Sequence, residues 1–330
     1  MSDGETEAQA ALPRLIDGAV VTVGTFDGVH LGHRDVLNRV VVRARERRVP
    51  SLLVTFDPHP LEVVNPSAAP LLLTPGDEKL EALSESGLDY VVVLPFTTQL
   101  ARYSATSFVE EILLRRFHLC ELYIGYDHGL GRGREGDLAL LRRLGARHRF
   151  PVNVVDAVAI DGAPVSSTAI RRAVSYGELD ESSRLLGRRY GLRGRVGHGD
   201  ERGRQLGFPT VNVVLPAPRK LLPPVGVYAV LLQAASGTHG GMMNLGPRPT
   251  FNDSTLSLEV HLFDVRGDWY GSDVRVEFVA RLRDTKRFES PDALVAQLRR
   301  DERDARRALT QVEERDTLRG SATNPSSLQS

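Results

Sequence analysis

Near Gly187 the hydrophobic pattern of this chain changes period, and the change limits the fold more than any single motif does. Upstream, short Val- and Leu-rich runs (Val20 to Gly24, Ser51 to Phe56, Tyr90 to Leu94, Leu122 to Gly125, Val152 to Val155) alternate with helical patterns (His33 to Arg48, Asp77 to Glu85, Ser107 to Phe117, Asp137 to His148). Strand and helix in alternation predict a parallel, doubly wound sheet. Downstream the helical period disappears, glycine and proline punctuate the chain, and short strands follow one another: Gly191 to Gly197, Val211 to Leu215, Gly226 to Gln233, Thr238 to Asn244, Leu256 to Phe263 and Val274 to Leu282. That series predicts a small antiparallel β-barrel, covered by a C-terminal helix from Pro291 to about Val312 carrying Leu294, Val295 and Leu298. A length of 330 residues fits two such domains, 1–185 and 186–316, with 317–330 expected as a disordered tail.

Composition removes several classes of function. Charge is balanced, 42 basic against 42 acidic residues, so no global field draws nucleic acid or a membrane surface. No apolar run reaches the roughly 20 residues that span a bilayer, and the polar start with Ser2, Asp3, Glu5 and Glu7 does not read as a signal peptide. Cys120 is the single cysteine, which rules out an internal disulfide and agrees with a reducing compartment. The expectation is a cytoplasmic protein, a monomer or weak homo-oligomer, acting on small molecules.

Gly24 to His33 reads GTFDGVHLGH directly after the first strand and opens a helix. Gly24, Gly28 and Gly32 let backbone approach a ligand, and the N–H groups of a helix start favour an anion. Gly24, Thr25, Phe26, Asp27 and Gly32 are the expected ATP-phosphate contacts of this turn, and His30 and His33 sit at its mouth, where imidazoles can donate to a phosphate chain. With no third ligand nearby, a metal site is the weaker reading.

FDPHP (Phe56 to Pro60) places Asp57 and His59 between prolines, which either stop a strand or fix a rigid, non-helical loop. Gly125 to Asp137 holds Asp127 and four glycines and reads as a flexible surface loop. In SSTAIR, Ser166, Ser167 and Thr168 open a helix with Arg171 one turn on. They form an ordinary cap or, facing the first helix start, a triphosphate clamp. In the second half, Gly197, Gly199 and Gly203 make a loop able to cover phosphates, with Arg204 as a charge clamp. Thr210 and Asn212 alternate along a strand and offer oxygen ligands on one face to a Mg2+ ion shared with ATP. Glu259, at the edge of an apolar strand, is by itself a solvated glutamate or a base.

These words resemble, in order, the bifunctional bacterial riboflavin kinase/FMN adenylyltransferase family. GTFDGVHLGH, FDPHP, GYDHGLGRGREGD and SSTAIR are similar to the Rossmann-like nucleotidylyltransferase half. GRVGHGDERGRQLGFPTVNV, NLGPRPTF, EVHLFD and RLRDTKRF are similar to the riboflavin kinase half. The resemblance implies that ATP phosphorylates riboflavin to FMN in the second domain and adenylylates FMN to FAD, releasing pyrophosphate, in the first. It further implies that Glu259 is the base at riboflavin's 5′-hydroxyl, that Asp57, His59 and Asp127 line the flavin site of the first domain, and that Arg283 and Phe288 contact flavin in the second. The chain departs from the family at His128 and Leu130, where phenylalanines are common, and at Thr285, where an acidic residue is. Another HxGH transferase would leave the GFPTVN barrel unexplained, a decayed flavin-binding regulator would not retain His30, His33, Thr210, Asn212 and Glu259, and an oligonucleotide-binding barrel would want more than 6% aromatic residues.

Overall fold

The computed structural model describes residues 18–198, 203, 206–247, 256–265 and 267–322, which pack as two compact units, Met1–Ser167 and Thr168–Ser330. In the first unit five strands form a wholly parallel sheet: β1 (Ala19–Val23), β2 (Ser51–Asp57), β3 (Tyr90–Pro95), β4 (Leu119–Gly125) and β5 (Val152–Val155). Their order is β3-β2-β1-β4-β5, so the chain runs outward from β1 in one direction and then crosses back to the other side of it. The switch point lies between β1 and β4, the place where open α/β sheets hold their ligands. β1 reads AVVTV and is buried from Ala19 to Thr22, as a central parallel strand covered on both faces must be.

Helix α1 (Leu31–Arg47) buries Val36, Leu37, Val40, Val41 and Ala44. An ionic cluster fixes it to the sheet: the Arg43 guanidinium donates to both oxygens of Glu121 at 3.0 Å, Arg47 at 2.8 Å and the Asn153 carboxamide at 2.9 Å. The opposite face of the sheet packs on Phe108, Val109, Leu113, Phe117, Leu141 and Leu144. The stretch Phe108–Arg116 winds as a π-helix, where a regular α-helix was expected.

The proline-rich segment after β2 differs from its expected non-helical path. Pro60 starts a short helix, α2 (Pro60–Val64), because proline at the first helical position loses no hydrogen bond. The Gly125 to Asp137 loop is also more structured than expected. His128 Nε2 meets Gly136 O at 3.1 Å, Leu130 and Gly136 pair as an isolated bridge, and the Ala105 N–H donates to Glu135 at 3.1 Å. At Gly131 an added Cβ would lie 2.4 Å from the Ala105 nitrogen, so the loop lies directly against the protein.

A short antiparallel pair, β6 (Ala159–Ile160) and β7 (Ala163–Pro164), follows β5 in the first unit, and the second unit is a closed antiparallel barrel in the order β10-β11-β12-β9-β8-β13. Its strands are β8 (Gly191–Gly197), β9 (Val211–Val214), β10 (Gly226–Ala234), β11 (Gly237–Pro247), β12 (Leu256–Leu262) and β13 (Asp273–Arg283). Tyr228 and Phe278 are among the largest fully buried side chains. The C-terminal helix covers β10, β11 and β13, with Ala305 and Leu309 packed against Ala229, Met242 and Phe263. Gly240 permits that approach, since a Cβ there would come within 2.9 Å of Leu309. This helix runs Pro291–Ala322, past the expected end near Val312 and through the first residues of the expected tail, while 323–330 lie outside the described residues.

Candidate active sites

The GTFDGVHLGH turn has the form its residues predict, with more strain. Phe26, Gly28 and Val29 take φ values of 47°, 90° and 42°. For a β-branched residue such as Val29 that conformation costs about 1–3 kcal/mol, and the cost is met by complete burial. His30 caps α1: its Nδ1 accepts from the His33 N–H at 3.3 Å. In the neutral ring this places the proton on Nε2, which makes Nε2–H the donor. The His33 ring stacks on it with centroids 3.6 Å apart, and Phe26 lies 4.6 Å from His33 on the other side. A Cβ at Gly32 would lie 3.3 Å from the His30 ring, so the glycine leaves room for that imidazole.

Two residues expected at phosphate, Phe26 and Asp27, also build the turn. The Phe26 ring is 4% exposed and belongs to the core beside Val29 and Leu37. The Asp27 carboxylate is buried and accepts from the Leu73 N–H at 3.0 Å and the Thr74 N–H at 2.9 Å, tying a distant segment to the turn. Ser167 at the start of helix α6 (Ser167–Tyr176; in chain order α3 is Asp77–Ser84, α4 Ala105–Ser107 and α5 Leu138–His148) donates its hydroxyl to Asp27 O at 2.8 Å. The first residue of the SSTAIR helix is therefore fastened to the HxGH turn, with Thr168 and Arg171 following in the same helix and Ser166 directly before it.

A small, open cleft lies at the carboxyl ends of β1 and β2, lined by Thr25, Asp27, Phe56, Asp57, His59, Leu72, Thr74, Pro75, Gly76 and Lys79. It brings together residues expected at ATP (Thr25, Asp27) and residues expected at flavin (Asp57, His59). The His59 ring also caps α2, its Nδ1 accepting from the Leu61 N–H at 3.2 Å. Asp127, His30 and His33 do not line this cleft. Sequence reasoning missed Lys79, which is 8% exposed on α3 and donates to Phe56 O at 2.8 Å. Burial lowers its pKa, partly offset by the charges of Asp57 and Asp27.

On the barrel, strand register brings together the residues expected at the second site. Glu259 on β12 stands opposite Asn212 on β9 and opposite Asn244 on β11, and Gly197 on β8 stands opposite Asn212. Residues in register share a face, and here it is the outer one, because the flanking Leu258, Val260, Val213, Met243 and Leu245 are buried. Ser257 donates its hydroxyl to Glu259 Oε1 at 2.9 Å. Thr210 precedes β9 by one residue and alternates with Asn212. Asn244 is the second residue that sequence reasoning passed over, although it opens the NLGPRPTF motif.

Gly203 is needed by the backbone: a Cβ there would lie 2.3 Å from Phe208 O, and the Phe208 N–H donates to Gly203 O at 2.8 Å. Arg204 and Gly199 lie outside the described residues. Arg283 was expected to contact flavin, but its guanidinium is committed to Asp301 on the C-terminal helix at 2.6 to 3.1 Å and to Asp284 O at 2.8 Å. These bonds hold the loop that carries Phe288, whose ring centroid lies 5.9 Å from Arg283 and 5.3 Å from the Lys286 ammonium. Lys286 donates in turn to Gln297 at 2.8 Å, and Gln297 to Asp301 at 2.7 Å. The same loop reaches the Glu259 row, since a Cβ on Gly246 would meet Thr285 at 3.7 Å and Asn244 at 3.8 Å.

Comparison with known proteins matches both halves. Residues 13–169 fit the family model described as FAD synthetase, and residues 186–309 the one described as riboflavin kinase. The bifunctional riboflavin kinase/FMN adenylyltransferase of Escherichia coli K12 is 40% identical over 291 residues, 88% of this chain and 92% of that protein. That of Listeria monocytogenes is 37% identical over 297 residues, 89% of this chain and 94% of that one. A crystal structure from Streptococcus pneumoniae, titled a macrolide-efflux protein, matches with a TM-score of 0.80 and 30% identity over 90% of this chain and 96% of that one.

Proposed function

Because this chain belongs to the bifunctional riboflavin kinase/FMN adenylyltransferase family, and so phosphorylates riboflavin to FMN and adenylylates FMN to FAD with ATP, we propose that its two reactions use the two sites described above. The observation that carries the assignment is the row Asn212–Glu259–Asn244, a carboxylate set between two carboxamides on the outer face of the barrel. In the kinase reaction Glu259 takes the proton of riboflavin's 5′-hydroxyl as that oxygen bonds to the γ-phosphorus. The bond from the γ-phosphorus to the β,γ-bridging oxygen breaks, and ADP leaves. The described residues contain no cluster of three or more His, Cys, Asp or Glu able to hold a metal alone. The hydroxyl of Thr210 and the carboxamide of Asn212 instead suit Mg2+, which keeps few protein ligands and takes the rest from phosphate and water. That ion would neutralise charge on the phosphates. Gly197, Gly203 and Arg204 would lie along the nucleotide, and Phe288 would pack on flavin with Arg283 holding its loop.

In the adenylyl transfer FMN's phosphate is already a nucleophile. An oxygen of it bonds to the α-phosphorus of ATP, the bond to the α,β-bridging oxygen breaks, and pyrophosphate leaves with the electron pair. His30 and His33 donate to the charge that develops. Gly24, Thr25 and Gly32 supply close backbone, Ser166, Ser167, Thr168 and Arg171 clamp the phosphates, and Asp57, His59 and Asp127 face flavin. The functional boundary belongs near 185/186, where the riboflavin kinase match begins, although helices α6 and α7 (Leu179–Leu186) pack with the barrel unit from Thr168 on. We place the enzyme in the cytoplasm, as a monomer or weak homo-oligomer without nucleic-acid or membrane partners. Balanced charge supports this, as does the absence among the described residues of any helix long and apolar enough to cross a membrane.

The test is Glu259→Gln. Riboflavin phosphorylation should fall by about 100-fold or more while FAD formation from supplied FMN continues. Equal loss of both activities, followed by chromatography of the flavins, would defeat the assignment.

A further inference from the structure

This chain uses lysine at only three positions, 79, 220 and 286, against a large excess of arginine. Where such a chain keeps a compact ammonium, a forked guanidinium does not serve. Lys79 is the one lysine or arginine among the residues lining the cleft at the ends of β1 and β2. Its direct partners are neutral: Phe56 O at 2.8 Å and, at the limit of hydrogen bonding, the Thr55 hydroxyl at 3.5 Å. The Thr55 hydroxyl in turn donates to Thr25 O at 3.1 Å, inside the HxGH turn. Among the described residues no carboxylate forms an ion pair with Lys79, and Asp27 is committed to the backbone of Leu73 and Thr74. The carboxylates of Asp57 and Asp27 line the same cleft and act on Lys79 through space, but its direct contacts are neutral oxygens, and a charge withdrawn from water gains most from a counter-charge at contact distance, a place left to the occupant of the cleft. An ammonium carries three N–H donors, of which these two oxygens take two.

We propose that the Lys79 ammonium is a phosphate ligand of the adenylyl-transfer site, binding a non-bridging oxygen either of FMN's phosphate or of ATP's phosphate chain. The proposal rests on assigning that reaction to the first unit. It gives the cleft a cation beside the carboxylates of Asp27 and Asp57 and the imidazole of His59. It also accounts for the link through Thr55, which sets the ammonium against the same turn that carries His30 and His33.

Lys79→Met in the full chain tests it. FAD formation from FMN should fall about 100-fold, with riboflavin phosphorylation as the internal reference. A raised KM for FMN alone assigns the contact to the flavin phosphate, a raised KM for ATP alone assigns it to the nucleotide, and a fall in kcat alone assigns it to charge on the departing pyrophosphate. FAD formation within about threefold of the unaltered protein overturns the proposal. Unaltered protein that forms no FAD would instead defeat the reading on which it rests. Should the first unit of the variant fail to fold, the unaltered protein decides. The Lys79 15N ammonium resonance should move on adding FMN but not riboflavin, or on adding ATP but not adenosine. No movement with either phosphate compound overturns the proposal.

Discussion

His30 does several things with one side chain. It caps α1 through Nδ1, stacks on His33 and leaves Nε2–H as its donor, all within a turn whose Val29 holds φ at 42°. Strain at this place is consistent with a site that must hold donors ready before charge develops. Replacing both His30 and His33 by alanine should lower FAD formation from FMN by about 1,000-fold or more. Riboflavin phosphorylation should persist, as an assay of each step on its own substrate would show. These histidines are legible in the sequence because turn, glycines and helix start are contiguous. Lys79 is not: in DEKLEALS it resembles any solvated lysine of a charged helix, and only the fold of α3 against Phe56 buries it. Arg283 is the opposite case. It stands in a flavin-like motif, but its partner Asp301 is 18 residues further on, in a helix whose pattern reads as apolar against polar.

At the scale of elements, α1 is held to β4 and β5 by Glu121, which is 3% exposed and meets Arg43, Arg47 and Asn153. Burial alone would raise its pKa, but the hydrogen bonds from Arg47 and Arg43 outweigh it and the net shift is downward. A carboxyl with a lowered folded pKa stabilises the fold above its unfolded pKa and loses that contribution as pH falls through the folded value. Glu121→Gln should therefore lower stability by about 2 kcal/mol at neutral pH, a figure reduced for the half-exposed arginines. Melting curves at neutral and acid pH should show the gap between variant and unaltered protein closing as pH falls. The strands were readable because Val and Leu runs between turns have few alternatives. The π-helical turns of Phe108–Arg116 and the helix at Pro60 were not, since the first is selected by packing and the second turns on whether proline ends one element or begins the next.

Across the whole molecule, the change of period along the chain corresponds to a parallel sheet followed by a closed barrel, and the order of motifs carries the family. Helices α6 and α7 show what periodicity leaves open. They follow the nucleotidylyltransferase motifs in sequence, but their buried faces, with Ile170, Val174, Leu185 and Leu186, count with the barrel. Two sites in two units imply that FMN made at one can reach another chain through solution. Mixing a Glu259→Gln chain with a His30→Ala, His33→Ala chain should restore riboflavin-to-FAD conversion that neither performs alone. Failure of the mixture, with each remaining activity intact, would mean that FMN passes only within one chain.

The row of Asn212, Glu259 and Asn244 spans three neighbouring strands. In a barrel whose residues alternate inside and outside, sliding β12 by a single residue would turn Glu259 inward and set Val260 in its place. With Glu259 as the proposed base, phosphorylation of riboflavin is thus a gauge of alignment. A chain that has closed its barrel one notch out could look fully folded to a spectrometer and still be unable to make FMN.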